Sequence, residues 1–233
     1  MNAAGSRAAA SGRLPETAQA VVFDCDGLLV ETESRWTVAE TALFHSYGRL
    51  FGPEEKALLI GRALPEAGEA IAAHLGRPGA GPELAAELLS TVRQEFTADM
   101  EAMPGARELV LACRAAVPVA VASNSPRELV ELALKAAGLA DLFEHTVTVE
   151  DVAAGKPAPD LYLAACAALG ADPARSVAFE DSATGAAAAR AAGLHVAVVP
   201  SLPGTAPDHD WLGGSLADPQ VRDWARNLRR ETA

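Results

Sequence analysis

Cysteine is scarce in this chain. The three present, Cys25, Cys113 and Cys166, are far apart and match no CxxC or Cys/His ligand spacing, so neither a disulfide framework nor a zinc site is indicated. A reducing, cytoplasmic setting is the expectation. Basic residues are also in deficit: Lys+Arg number 19 against 31 Asp+Glu, a formal net charge of -12. Such a field argues against a nucleic-acid or anionic-membrane partner, and any anion must be handled locally by a cation. No apolar run approaches the roughly 20 residues of a membrane-spanning helix. A glycine-rich Walker cradle with its lysine is missing too, which removes that route to nucleotide binding.

What is present is a hydrophobic share of 50% against 21% charged residues over 233 positions. That composition argues against disorder and supplies a core for one domain with an insertion. Residues Met1 to Gln19 mix Ala, Gly, Ser, Arg and Pro without the continuous apolar segment of a signal peptide, and are expected to form a disordered tail. Short apolar runs at Ala20 to Phe23, Val117 to Ala122, His145 to Val149, Val177 to Phe179 and His195 to Val199 read as strands buried on both faces. Between them, Gly105 to Ala116, Arg127 to Ala137, Asp160 to Leu169 and Ser182 to Ala192 carry helical spacing, with Gly138 and Gly193 as stop signals. Alternating strands and helices predict an α/β fold, a doubly wound parallel sheet.

From Glu33 to Met100 the rhythm changes to helices alone, expected at Glu33 to Tyr47, Pro53 to Ile60, Pro65 to Leu75 and Pro82 to Met100. The expected division is therefore a core of residues 20–32 and 101–233 with a helical insertion over 33–100, set above the carboxyl ends of the strands where open α/β sheets bind ligands. The closing segment, Ser201 to Ala233, is expected to end in a short helix packed on the core.

Four polar groups follow four of the apolar runs. Asp24 and Asp26 are spaced i, i+2 at the end of the first, which in extended backbone points both carboxylates to one side, and Gly27 lets the chain turn away. Two crowded anions call for a shared proton or a cation, and hard carboxylate oxygens favour Mg²⁺; a pair of solvated turn carboxylates fits the motif equally well. Ser123 and Asn124 precede a helix start, where they can bind an anion or simply cap the helix. Lys156, in Gly-Lys-Pro, reads alone as a surface charge, and Glu180-Asp181 alone as carboxylates complementing a helix dipole. All four face the same edge of the expected sheet, and that company of carboxylates, one lysine and neutral donors suits phosphoryl transfer.

In this order, Asp24-x-Asp26-Gly, Ser123-Asn124, Lys156-Pro157 and Glu180-Asp181 resemble the four motifs of the haloacid dehalogenase superfamily, over nearly all of Ala20 to Val199. The resemblance implies a Rossmann-like core with a helical cap. It further implies Asp24 as the nucleophile of an aspartyl-phosphate and Asp26 as the acid and base. Mg²⁺ would be held by Asp24, the carbonyl of Asp26, Glu180 and Asp181, and the phosphoryl group by Ser123, Asn124 and Lys156. Dehalogenase members lack an acid at the position of Asp26, so its presence implies phosphate chemistry. The β-phosphoglucomutases usually carry His about where this chain has Trp36, and Glu31 stands where relatives usually have Asp. The reading that follows is a phosphatase acting on a small phosphorylated metabolite, a sugar or polyol phosphate, as a monomer. A β-phosphoglucomutase-like phosphotransferase and a phosphoglycolate phosphatase are the alternatives. Cap candidates for contact with the leaving group are Trp36, His45, Arg62 and His74, each of which could equally be packing or surface. Cys25, between the two acids, is expected to face the other side and pack.

Overall fold

The structure, a computed structural model, describes residues 11–96, 100–201 and 205–231. Its centre is a parallel array: β3 (Val21–Phe23), β4 (Val119–Ser123), β5 (His145–Thr148), β6 (Val177–Glu180) and β7 (His195–Val198). With β1 (Ser11–Gly12) and β8 (Trp211–Leu212), the sheet runs β1-β8-β7-β6-β3-β4-β5, and only the β1/β8 pair is antiparallel.

Strands β3, β4 and β6 are buried along their whole length because both faces of the sheet are covered there; β5, expected to be buried on both faces, is corrected to an edge strand whose His145 is exposed. Alternation sorts the strand residues into two layers. Val21, Phe23, Val121 and Phe179 pack beneath α5 (Ala106–Ala116), α6 (Arg127–Ala136) and α9 (Pro219–Asn227). Val22, Ala120, Ala178 and Val196 pack beneath α7 (Asp160–Ala168) and α8 (Ala183–Ala192). The alanine content is used on this second side, where Ala186 and Ala189 let α8 lie close to the sheet. The sheet is thus wound on both faces, as expected.

Between β3 and α5 the chain makes α1 (Glu33–Ser46), α2 (Pro53–Leu59), α3 (Leu64–His74) and α4 (Gly81–Glu95). Prolines in the first turns of α2, α3 and α4 start these helices where an N–H is not needed. The last helix, expected to reach Met100, stops at Glu95: Phe96 turns to an extended conformation and buries its ring edge-on to Trp36, at 6.0 Å between centroids. Residues 97–99 of that expected helix lie outside the described residues.

The expected disordered tail is corrected from Ser11 onward; residues 1–10 lie outside the described residues. Ser11–Gly12 pairs with β8, and β2 (Thr17–Ala18) pairs in parallel with β9 (Arg229–Arg230). Leu14 is buried, and Trp224 Nε1 donates to the Pro15 carbonyl at 2.6 Å. The order comes from partners some 200 residues away, which local composition cannot display. The same partners give the closing segment its place: α9 packs on α5 and β8 extends the sheet, with Trp211 fully buried.

Candidate active site

The carboxyl ends of β3, β4 and β6 and the loop after β5 converge where the strand order reverses about β3, the position at which an open α/β sheet leaves a crevice. Asp24 follows β3, its backbone N–H donating to the Phe179 carbonyl at 3.0 Å, and its side chain is buried. The Lys156 ammonium bridges Asp24 Oδ1 at 2.5 Å and Glu180 Oε1 at 2.6 Å. Asp181 completes the group: ligand oxygens of Asp24, Glu180 and Asp181 all lie within 4.8 Å of one another.

Two glycines make this convergence possible. Gly27 turns the chain in the left-handed region (φ 78°), and a Cβ there would sit 2.6 Å from Asp181 Oδ2. At Gly185 in α8 a Cβ would fall 1.9 Å from the Glu180 carboxylate. Any side chain at either position would push an acid out of the cluster.

The charges do not balance. Three buried carboxylates share one ammonium, and burial pushes Asp24 up to about 8, with Glu180 and Asp26 adding to the effect and Lys156 opposing it. Burial, then Asp24 and Glu180, raise Asp181 well above the carboxylate range. Burial alone would lower Lys156, but Asp24 and Glu180 outweigh it and hold the ammonium charged. A divalent cation with oxygen preference fits this donor set, since it would favour the charged form of each acid.

Asp26 faces the same cavity but belongs to a different network. Its Oδ1 accepts from Thr32 Oγ1 at 2.9 Å and from Trp36 Nε1 at 3.4 Å, and its Oδ2 accepts from Ser123 Oγ at 3.1 Å. Trp36 is thereby placed beside Asp26, on the lining of the same cavity. Ser123 Oγ also accepts from the Ser125 N–H at 3.0 Å. The Asn124 amide is committed to backbone, donating to the carbonyls of Gly61 (3.0 Å) and Lys156 (3.1 Å) and accepting from the Lys156 N–H at 2.7 Å, so it ties the α2–α3 loop to the core.

Arg62 lines the cavity mouth; His45 and His74 do not line it, and His74 Nε2 instead lies 3.5 Å from Glu55 Oε1. Glu31 accepts from the Ser34 N–H (3.1 Å) and hydroxyl (2.5 Å) and so caps α1. Cys25 is fully buried and belongs to the same hydrophobic cluster as Val21 and Phe23, in keeping with a packing role.

Sequence reasoning missed five residues. Thr32 and Tyr162 are buried hydrogen-bond partners of Asp26 and Glu180, the latter accepting from Tyr162 Oη at 2.5 Å. Glu33, Glu40 and Lys56 line the cavity from the inserted helices. A signal for the two glutamates existed: positions 33, 36 and 40 fall at spacings of three and four, on the helix face that carries Trp36. Tyr162 offered none beyond lying on a helix just after Lys156.

Residues 18–193 match the family model described as haloacid dehalogenase-like hydrolase. The chain is 34% identical over 186 residues to a probable pseudouridine-5'-phosphatase of Drosophila melanogaster, covering 77% of this chain and 80% of that protein. It is 31% identical over 196 residues to hexitol phosphatase B of Escherichia coli K12, covering 80% and 86%. Among solved structures, CbbY from Rhodobacter sphaeroides in complex with phosphate superimposes with a TM-score of 0.74 at 27% identity, covering 88% of this chain and 99% of that one.

Proposed function

The chain belongs to the haloacid dehalogenase-like hydrolases and is a phosphatase; from that premise we propose that it is a Mg²⁺-dependent hydrolase of a small sugar or polyol phosphate, acting through an aspartyl-phosphate on Asp24. The observation that carries this reading is the buried Asp24–Lys156–Glu180–Asp181 cluster with Asp26 facing the same cavity.

Asp24 attacks phosphorus through a carboxylate oxygen, and the bond to the leaving oxygen breaks as Asp26 donates its proton there. Asp26, now a carboxylate held by Thr32, Trp36 and Ser123, takes a proton from the water that attacks the aspartyl-phosphate, releasing phosphate and restoring Asp24. Lys156 lies against the attacking carboxylate, where it can also neutralise phosphoryl oxygens. Asp24, the Asp26 carbonyl and Asp181 would hold Mg²⁺, with Glu180 shared between that ion and the orientation of Lys156 and Tyr162. When bound, the ion supplies charge neutralisation at the phosphoryl group and keeps Asp24 ionised. Helices α1–α4 act as the cap, and the Asn124–Gly61 hydrogen bond is a latch between cap and core.

The test is phosphate release from a panel of sugar, polyol, glycolate and nucleotide monophosphates, with Mg²⁺ and with EDTA. Metal-dependent release by wild type, absent in Asp24→Asn, is the expected result; near-normal turnover by that variant would overturn the assigned nucleophile. A stable phospho-enzyme needing a sugar bisphosphate for reactivation would instead favour the mutase reading.

A further inference from the structure

The inserted helices carry a second group of charges that the chemistry above leaves unused. Lys56 Nζ, on α2, lies 2.9 Å from Glu33 Oε2 and 2.9 Å from Glu40 Oε2, both on α1. The side chains are 14%, 25% and 4% exposed, and all three line the cavity that Asp24 and Asp26 line from below. Apart from Trp36 and Arg62, the rest of this wall is apolar, with Leu59, Leu64, Ala67 and Leu88.

A buried ion cluster is a weak source of stability, because desolvation consumes most of the Coulombic gain and an apolar set packs as well. What it adds to an apolar wall is direction. Carboxylate oxygens only accept hydrogen bonds, so they select donors. The ammonium has three protons, two of them directed at the glutamates, which leaves one for an acceptor in the cavity. A hydroxyl pair on adjacent carbons meets both demands, donating to a glutamate and accepting from Lys56. The cluster sums to one negative charge, and Lys56 is already committed. A leaving group that carries its own carboxylate or second phosphate would meet two glutamates, with Arg62 at the mouth as the remaining cation of the lining wall besides Lys56.

We propose that Glu33, Lys56 and Glu40 form the leaving-group subsite, which reads the hydroxyls of a neutral polyhydroxylated chain and rejects anionic leaving groups. This rests on the phosphatase reading and sharpens its substrate class. It also separates the sugar or polyol substrates from phosphoglycolate and from sugar bisphosphates.

The experiment compares kcat/KM of the Mg²⁺-loaded protein on a hexitol monophosphate, phosphoglycolate, a hexose bisphosphate and p-nitrophenyl phosphate. Sites built to hydrogen-bond a hydroxyl discriminate strongly against analogues without it. Wild type should prefer the hexitol ester over phosphoglycolate and bisphosphate by about 100-fold or more. In Glu33→Gln and Glu40→Gln, which keep the shape of the side chain, the ratio of hexitol ester to p-nitrophenyl phosphate should fall by about tenfold or more, a loss of one or two hydrogen bonds. Phosphoglycolate should recover relative to the hexitol ester in the same variants. Equal turnover of hexitol ester and phosphoglycolate by wild type overturns the subsite while leaving the phosphatase intact, and needs no variant to fold. No turnover of p-nitrophenyl phosphate overturns the phosphatase reading itself, and the subsite with it.

Discussion

Twice among the described residues a lysine bridges two carboxylates, and the two bridges differ in burial and in the charge around them. In the core, Lys156 spans Asp24 and Glu180 at 2.5 and 2.6 Å, with side chains 3%, 9% and 0% exposed. In the inserted helices, Lys56 spans Glu33 and Glu40 at 2.9 Å each, with Glu33 a quarter exposed. The core bridge has further acids pressed against it, Asp181 within 4.8 Å and Asp26 near enough to raise Asp24. Its surplus of negative charge fits the proposed divalent cation and the proposed role of Asp24. The other bridge meets the core cluster through Glu33, whose charge adds to the rise of Asp181. Its own surplus is a single negative charge, and it keeps spare hydrogen-bonding capacity, which suits the recognition proposed for it.

Removing each lysine tests the contrast most strongly. In Lys156→Met, Asp24 and Glu180 are left facing each other without a counter-ion in a dry site. Breaking a buried pair this way costs on the order of 3–5 kcal/mol. Urea unfolding should register that loss, and turnover should fall by at least about 100-fold with all substrates, as loss of an electrostatic stabiliser implies. In Lys56→Met, Glu33 reaches water and Glu40 can take up a proton, so the loss should be nearer 1–3 kcal/mol, the range for one unsatisfied buried group. Its effect on turnover should depend on the leaving group. If the two variants lose equal stability and equal activity on every ester, the two bridges are not functionally distinct.

The core bridge was legible in the sequence because its members sit at fixed places, the ends of apolar runs that alternation assigns to one sheet edge. Asp24, Lys156, Glu180 and Asp181 could be named together before any coordinate was known. The bridge on the inserted helices was not, since Lys56 and the glutamates lie on different helices whose packing angle no local pattern encodes. The same reason hid the order of residues 11–19, whose strand partners are β8 and β9. Ser123 and Asn124 were found by position, but their hydrogen bonds to Asp26, Gly61 and Lys156 required the loop's tertiary path.

The charge surplus in the core gives a pH-dependent prediction of smaller size. Burial raises Asp24 from about 3.8 to about 8, so over that interval the folded state binds a proton that the unfolded chain has released. Stability from this group is therefore present in full below the unfolded value and is lost as pH rises towards about 8. Asp181 shifts in the same direction. Metal-free protein should lose thermal stability across this window, and Mg²⁺ should raise the melting temperature more near pH 8 than near pH 5, because it binds the charged acids. In Asp24→Asn both trends should shrink. A Mg²⁺ effect independent of pH would show that the ion does not bind this cluster.

The smallest effect is expected where the two regions touch. Trp36 stands on α1, three residues from Glu33 and four from Glu40, yet its Nε1 reaches Asp26 Oδ1 at 3.4 Å, a long bond beside the firmer ones from Thr32 and Ser123. Trp36→Phe keeps an aromatic ring next to Phe96, of smaller volume, and deletes that donor. Asp26 retains two partners, so kcat should fall by only about three- to tenfold, the worth of one modest hydrogen bond. KM for the hexitol ester should be little changed, because the lost bond serves Asp26 and not the leaving group. A change in KM alone would place Trp36 with the leaving-group wall and detach it from the acid and base, moving the boundary between the two regions by one helical turn.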